Sequence, residues 1–264
     1  MRQLALQLII FLLSIVIQSC SQNRTQPTES LDSNLSKPIT IISNSIVKSN
    51  YKGTEFPNCF EAAFIDSTFV VEITTKDTTT YFFQTLELGK IKIESGKIIA
   101  CDPIVNIDSR PFTQVFPVGE FSVQLAIAKI PNNNRVAYSR IVFSNNPVNK
   151  WIYATQSGEK QIPINDTTTY CFGVDAGQAT YIDSIANNEL DKLEQPGWVA
   201  AFSGKKWLSP NFFGCIHSFN NHNLAAFNTG WGDGCYGSYI GLDKDGNICR
   251  LITDFGFVMW WNKK

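Results

Sequence analysis

Alternation with a period of two dominates the middle of this chain and points it toward sheet-forming folds. Phe121, Val123, Leu125 and Ile127 fall on one face of an extended segment, and Ser122, Gln124, Ala126 and Ala128 on the other. Successive side chains of a strand point to opposite faces, so this pattern describes a half-buried strand. Asn132-Asn133-Asn134 carries turn chemistry, and Arg135 to Ser144 is expected to return as the hairpin partner.

Shorter runs of the same kind fill the rest of the chain. Ile39-Thr40-Ile41-Ile42 is a candidate first strand, and Phe69 to Ile73 another. Ile91 to Glu94 runs into a Ser95-Gly96 turn, after which Gly96 to Cys101 extends until Asp102-Pro103 stops it. At the C-terminal end, Tyr236 to Leu242 and Ile248 to Phe257 flank Asp243-Lys244-Asp245-Gly246-Asn247. Asp-Gly supplies the positive φ of a tight hairpin turn. Asp243-x-Asp245 also resembles the start of a calcium loop, but the third acid and the distal Glu are missing, so the turn is preferred.

One segment has helical spacing. Ile185, Ala186, Glu189, Leu190 and Leu193 share a face, Asp183 or Ser184 is a natural N-cap, and Pro196-Gly197 ends the run. Residues 198–223 are aromatic-rich and irregular, with Trp198, Trp207, Phe212, Phe213 and Phe219. Aromatic residues make up 12% of the chain, which with its Val, Ile and Thr favours strands. The expected fold is mainly β, α+β at most: antiparallel sheets packed as a sandwich or open barrel, with one helix near 184–194.

The N-terminal residues have the layout of an export signal. Arg2 precedes an apolar run from Leu4 to Ile17 broken only by Gln7 and Ser14. A spanning helix needs roughly 20 apolar residues, and this run is shorter. It ends Ile17-Gln18-Ser19-Cys20, which resembles the lipobox of bacterial lipoproteins, although Gln18 is a less common residue there. That resemblance implies cleavage after residue 19 and fatty acylation of Cys20. Two or three chains anchor stably where one does not. Ser21, rather than Asp, follows the cysteine, which in Gram-negative lipoproteins implies the outer membrane. Residues 20–49, rich in Ser, Asn, Thr and Gln, read as a flexible tether, and residues 50–264 as one globular domain.

The full chain holds 22 basic and 23 acidic residues with no basic stripe, which argues against nucleic acid as a partner. Cys59, Cys101, Cys171, Cys215, Cys235 and Cys249 remain besides the anchor. In an oxidising compartment six cysteines allow three disulfides in fifteen connectivities. No pair has C-x2-C spacing and the chain has two histidines, His217 and His222, so no metal or other cofactor is expected. Cys215-Ile-His217 is not read as a dyad, because geometry rather than adjacency defines one.

Several phrases occur in a telling order: Ser95-Gly96-Lys97 with Asp102-Pro103, Pro111-Phe112-Thr113, Pro117 to Phe121, Gly173 to Gly177 with Asp183, Gly230 to Gly234 with Tyr236, then Gly241 and Asp254-Phe255. Together, over about residues 89–257, they resemble a bacterial family of uncharacterised proteins, domain of unknown function 4241. The resemblance carries over no reaction.

Asp102, Asp175, Asp183, Asp233 and Asp254 sit beside glycines, prolines or strand ends, where functional groups collect. Convergence of Asp175 and Asp233 would make a carboxylate pair for acid–base work or a hard-cation site, and Trp231 beside them would stack on a sugar or other flat ligand. An Asp next to Gly more often caps a turn. Gly230 to Gly234 is not a phosphate loop, because a strand rather than a helix follows. The favoured expectation is a membrane-tethered module of the cell envelope that binds a protein partner. The alternative is an envelope hydrolase or glycan-binding protein using the Asp and Trp loops.

Overall fold

In the computed structural model the chain divides into two units, Met1–Ser36 and Lys37–Lys264. The structure describes residues 39–42, 59–65, 67–72, 78–105, 109–131, 133–164, 170–190, 192 and 212–257. Cys20, Trp198, Trp207 and most of the expected tether lie outside the described residues, but residues 39–42, counted in that tether, form a strand paired with residues 67–70.

The second unit is mainly β, as the alternation predicts. A large sheet is built from β1 (Ile39–Ile42), β2 (Ser67–Glu72), β3 (Thr78–Ile93), β5 (Gly119–Lys129), β6 (Arg135–Val142), β13 (Ile248–Asp254), β12 (Gly234–Leu242) and β7 (Lys150–Tyr153), in that spatial order. A further strand, β8 (Phe172–Val174), pairs with the other half of β12. A smaller sheet has the order β10 (Gly214–Phe219), β11 (His222–Asn228), β9 (Gln178–Asp183), β4 (Ile98–Cys101). Among the described residues all pairings are antiparallel except that of β1 with β2, and no barrel closes. The described residues also form two short helices, α1 (Cys59–Ala62) and α2 (Ser184–Leu190).

The expected β5–β6 hairpin forms, with Leu125 opposite Ser139. Its burial differs from the expectation. Ala126 and Ala128, assigned to the polar face, are as fully buried as Leu125. The large sheet is covered on both faces at that point, so β5 is buried on two sides rather than one. Residues 214–219 and 222–228 also depart from the irregular segment expected of 198–223: they form the β10–β11 hairpin, turning at Asn220 with φ 49°.

One face of the small sheet packs on the large sheet through Ile98, Ala100, Ala179, Tyr181, Ala225 and Phe227. Its other face gathers Ile99, Cys101, Ile182, Leu224 and Ala226 beneath Ala186 and Leu190 of α2. The sandwich is thus pinned on both sides of the smaller sheet. Fully burying each Ile, Leu or Phe among them stabilises by roughly 1.5–3 kcal/mol.

Candidate functional site

Glycine-rich loops and strand ends bring four of the six sequence candidates into one neighbourhood, where two loops lock together. The β8–β9 loop (Asp175, Ala176, Gly177) and the β11–β12 loop (Gly230 to Asp233) are tied by backbone contact. Thr229 N donates to Gly177 O at 3.0 Å, and Gly177 N donates to Asp233 Oδ1 at 3.0 Å. The loops approach so closely that a Cβ on Gly177 would lie 3.7 Å from Gly232 Cα, and both glycines have positive φ. Gly230 is packed tighter still: an added Cβ would meet Phe257 at 2.6 Å and Val136 O at 2.9 Å. Close packing thus requires glycine at 230, positive φ favours it at 177 and 232, and Gly234 opens a strand, so no helix N-terminus stands ready for a phosphate.

Asp102 fixes the β8–β9 loop to the turn that follows β4. Its Oδ1 accepts from Ile104 N at 2.7 Å and Val105 N at 3.2 Å, and its Oδ2 accepts from Asp175 N and Ala176 N, both at 2.8 Å. A buried carboxylate holding four N–H groups is a backbone clamp. A cleft of about 500 Å³ opens here, lined among others by Cys101, Asp102, Ser109, Gln156, Cys171 and Asp175. The disulfide Cys171–Cys235 ties its wall to β12, where Cys235 lies opposite Gly173 in register. Asp175 itself is exposed.

Trp231 is 55% exposed, yet it is laid down rather than projecting. Its ring stacks on Phe257 at 4.5 Å and 6°, and the Arg135 guanidinium lies 5.9 Å from the ring centroid. Neighbouring Tyr236 donates from its hydroxyl to Gly232 O at 2.8 Å. Burial raises its pKa above the ordinary value, and the Asp233 charge acts in the same direction. Trp231 and Asp233 do not line the cleft that holds Asp102 and Asp175.

The other two acids stand elsewhere. Asp183, fully buried, accepts at Oδ2 from Glu94 N (3.0 Å), Ser95 N (2.9 Å) and Ser95 Oγ (2.8 Å). Its Oδ1 accepts from Ile185 N at 2.8 Å, so it caps α2 while fixing the Ser95-Gly96 turn. Asp254, at the end of β13, accepts from Gly256 N at 2.8 Å. Asp243 likewise holds its own turn, accepting from Asp245 N at 3.0 Å and Asn247 N at 2.9 Å. That use of the carboxylate accounts for Asp243 without calcium.

Cys101, Cys215 and Cys249 are not disulfide-bonded. The Cys249 thiol donates to Gly241 O, and burial pushes its pKa up to about 11, which makes it unreactive at neutral pH. Cys215 and His217 share a face of β10, where burial lowers the His217 pKa and its ring stacks on Phe219. Among the described residues no three His, Cys, Asp or Glu side chains are grouped to hold a metal ion.

Two charged clusters escaped sequence reasoning. His222 Nδ1 meets Glu94 Oε2, whose partner oxygen takes Lys92 Nζ at 2.8 Å. Glu61 of α1 lies between Arg140 and Arg250 on the large sheet, 3.1 Å from the Nη1 of Arg140. Both join residues far apart in sequence, and no local pattern signals such a pairing.

The family described as "Protein of unknown function (DUF4241)" matches residues 91–253, more than half of the chain. No curated protein and no solved structure matches it.

Proposed function

The chain belongs to the DUF4241 family, and from that premise we propose that it is a lipid-tethered binding module of a bacterial cell envelope. In this reading Cys20 carries the acyl chains, the residues between Cys20 and β1 are the spacer, and Ser21 directs the protein to the outer membrane. The loops bearing Asp175, Trp231 and Asp233 meet a protein partner.

The observation that carries this address is the Cys171–Cys235 disulfide. Such bonds persist in oxidising compartments and are rare in the cytosol. A disulfide in the folded domain and a lipobox-like leader are consistent with each other. Among the described residues no helix is long and apolar enough to cross a membrane.

Binding is favoured over catalysis by what the acids do. Asp102 and Asp183 each accept four hydrogen bonds, mostly from backbone N–H groups, which occupies the lone pairs an acid–base residue needs. The surface loops offer an exposed Asp175 and a flat, pre-positioned Trp231, whose indole is a residue type enriched at contact surfaces, while Asp233 accepts from Gly177 N and so fixes the two loops together. The exposed Trp231 ring also supports a second reading, an envelope glycan-binding protein or hydrolase, in which a sugar ring stacks on the indole.

Two measurements test the proposal. The intact mass of protein extracted from membranes should correspond to a chain starting at Cys20 with its acyl groups, and Cys20→Ala should leave the protein unlipidated. A photo-crosslinking residue at position 175 or 231 should trap a discrete protein adduct in cells, whereas one at position 245 should not. A glycan adduct in place of protein would favour the second reading, and an unprocessed, unlipidated N-terminus would overturn the tether.

A further inference from the structure

The cleft beside Asp102 lies between two strands that each have a single strand neighbour among the described residues: β4 pairs with β9, and β8 with β12. Ala100 and Cys101 of β4 line it on one side, and Phe172 and Gly173 of β8 on the other. A Cβ placed on Gly173 would have nothing within 4 Å, so the cleft is open there. Val105, 41% exposed, adds an apolar rim. At about 500 Å³ the cleft falls within the size range of small-ligand pockets. The Cys171–Cys235 disulfide holds the β8 wall to β12, so this shape exists before anything binds.

Its charge is one-sided. Asp102 and Asp175 line it, and among the described residues no Lys or Arg does. The three residues between Val105 and Ser109 are Asn, Ile and Asp, which bring no base. Arg110, next to Ser109, donates instead to Ser157 O at 3.2 Å. The two acids differ in what they have left to offer. Asp102 commits its oxygens to four backbone N–H groups, one of them the N–H of Asp175. That bond fixes the backbone of Asp175, while its exposed carboxylate accepts no hydrogen bond from the described residues. A fixed, unpaired anion beside Phe172 and Val105 matches a cation carried on an apolar stem. An anionic ligand would meet only repulsion there.

We propose that this cleft receives a basic side chain, arginine or lysine, presented by the protein partner. The stem lies along Val105 and Phe172, and the cationic head meets the Asp175 carboxylate. This inference rests on the contact-surface reading of the Asp175 loop and names the chemistry that the loop recognises. Basic anchors of this kind, seated in a preformed pocket, carry a large share of the energy of many interfaces.

The test titrates the full chain, labelled with nitrogen-15, with Nα-acetyl-arginine amide. Nα-acetyl-citrulline amide, which keeps the shape and lacks the charge, is the control. Saturable shifts of the Gly173, Asp175 and Gly234 amides are expected, with roughly millimolar affinity for a ligand this small. Asp175→Asn should weaken binding at least about ten-fold, the scale of a lost charge-assisted hydrogen bond. Asp245→Asn, which removes an exposed acid from the β12–β13 turn, should leave it unchanged. Absence of saturable shifts overturns the proposal, as does equal binding of citrulline or equal weakening by Asp245→Asn. A protein adduct at position 175 in cells, with no arginine binding, overturns the pocket and leaves the contact surface standing. Arginine binding with no protein adduct overturns the contact surface, and with it the partner as the source of the side chain.

Discussion

The hydroxyl of Tyr181, in the small sheet, sits 2.7 Å from Thr253 Oγ1 in the large one. The same hydroxyl lies 2.7 Å from Ser139 Oγ, and Thr253 Oγ1 is 2.8 Å from Ser238 Oγ. Four buried hydroxyl groups thus bridge the two sheets at the centre of the sandwich. A satisfied buried network of this kind specifies how two apolar faces sit on one another.

Removing the Tyr181 hydroxyl leaves Ser139 and Thr253 with an unmet polar group between the sheets. Tyr181→Phe should therefore lower unfolding stability by about 1–3 kcal/mol, read from urea denaturation. Burial also holds the Tyr181 phenol far above its ordinary pKa. Alkaline absorbance titration should show one tyrosine ionising only as the fold is lost.

Loss of the Cys171–Cys235 bond releases a loop of sequence separation 64 in the unfolded chain. Cys171→Ser, or reduction under native conditions, should cost about 2–5 kcal/mol. It should also raise hydrogen exchange in the Gly173 to Gly177 loop, which that bond ties to β12.

Glu94 gives a signed pH dependence. Its hydrogen bond from Lys92 lowers its pKa below the ordinary value, and His222 adds to this. A carboxyl depressed in the folded state contributes stability that is present above its unfolded pKa and disappears as pH falls through the folded one. Acidification through the ordinary carboxylate range and below should therefore weaken the fold. In Glu94→Gln the portion due to this site should be missing from urea midpoints measured as a function of pH.

Local chemistry made part of this architecture legible in the sequence. The alternation of Phe121 to Ala128 and the Asp243 to Asn247 turn are local signals, and the corresponding hairpins form. The Asp183 cap is equally local, and α2 begins where it predicts. The second hairpin, β10–β11, was hidden because Cys215, Ile216, His217 and Ser218 alternate only weakly in polarity. What lay beyond reach was long-range pairing. Nothing near Arg140 or Arg250 indicates that Glu61 will sit between them. Nothing near Cys171 selects Cys235 from among the other cysteines. For the candidate acids, sequence gathers residues beside glycines, prolines and strand ends, but only geometry separates a clamp such as Asp102 from an exposed side chain such as Asp175.

That separation is the core of the account, and paired urea unfolding of Asp102→Asn and Asp175→Asn tests it most directly. Asp102→Asn replaces an acceptor for four N–H groups with a side chain that is half donor, and should lose about 2 kcal/mol or more. Asp175→Asn alters an exposed carboxylate and should stay within about 0.5 kcal/mol of wild type. A stable Asp102→Asn protein beside an unstable Asp175→Asn one would contradict the assignment of the first to structure and the second to contact.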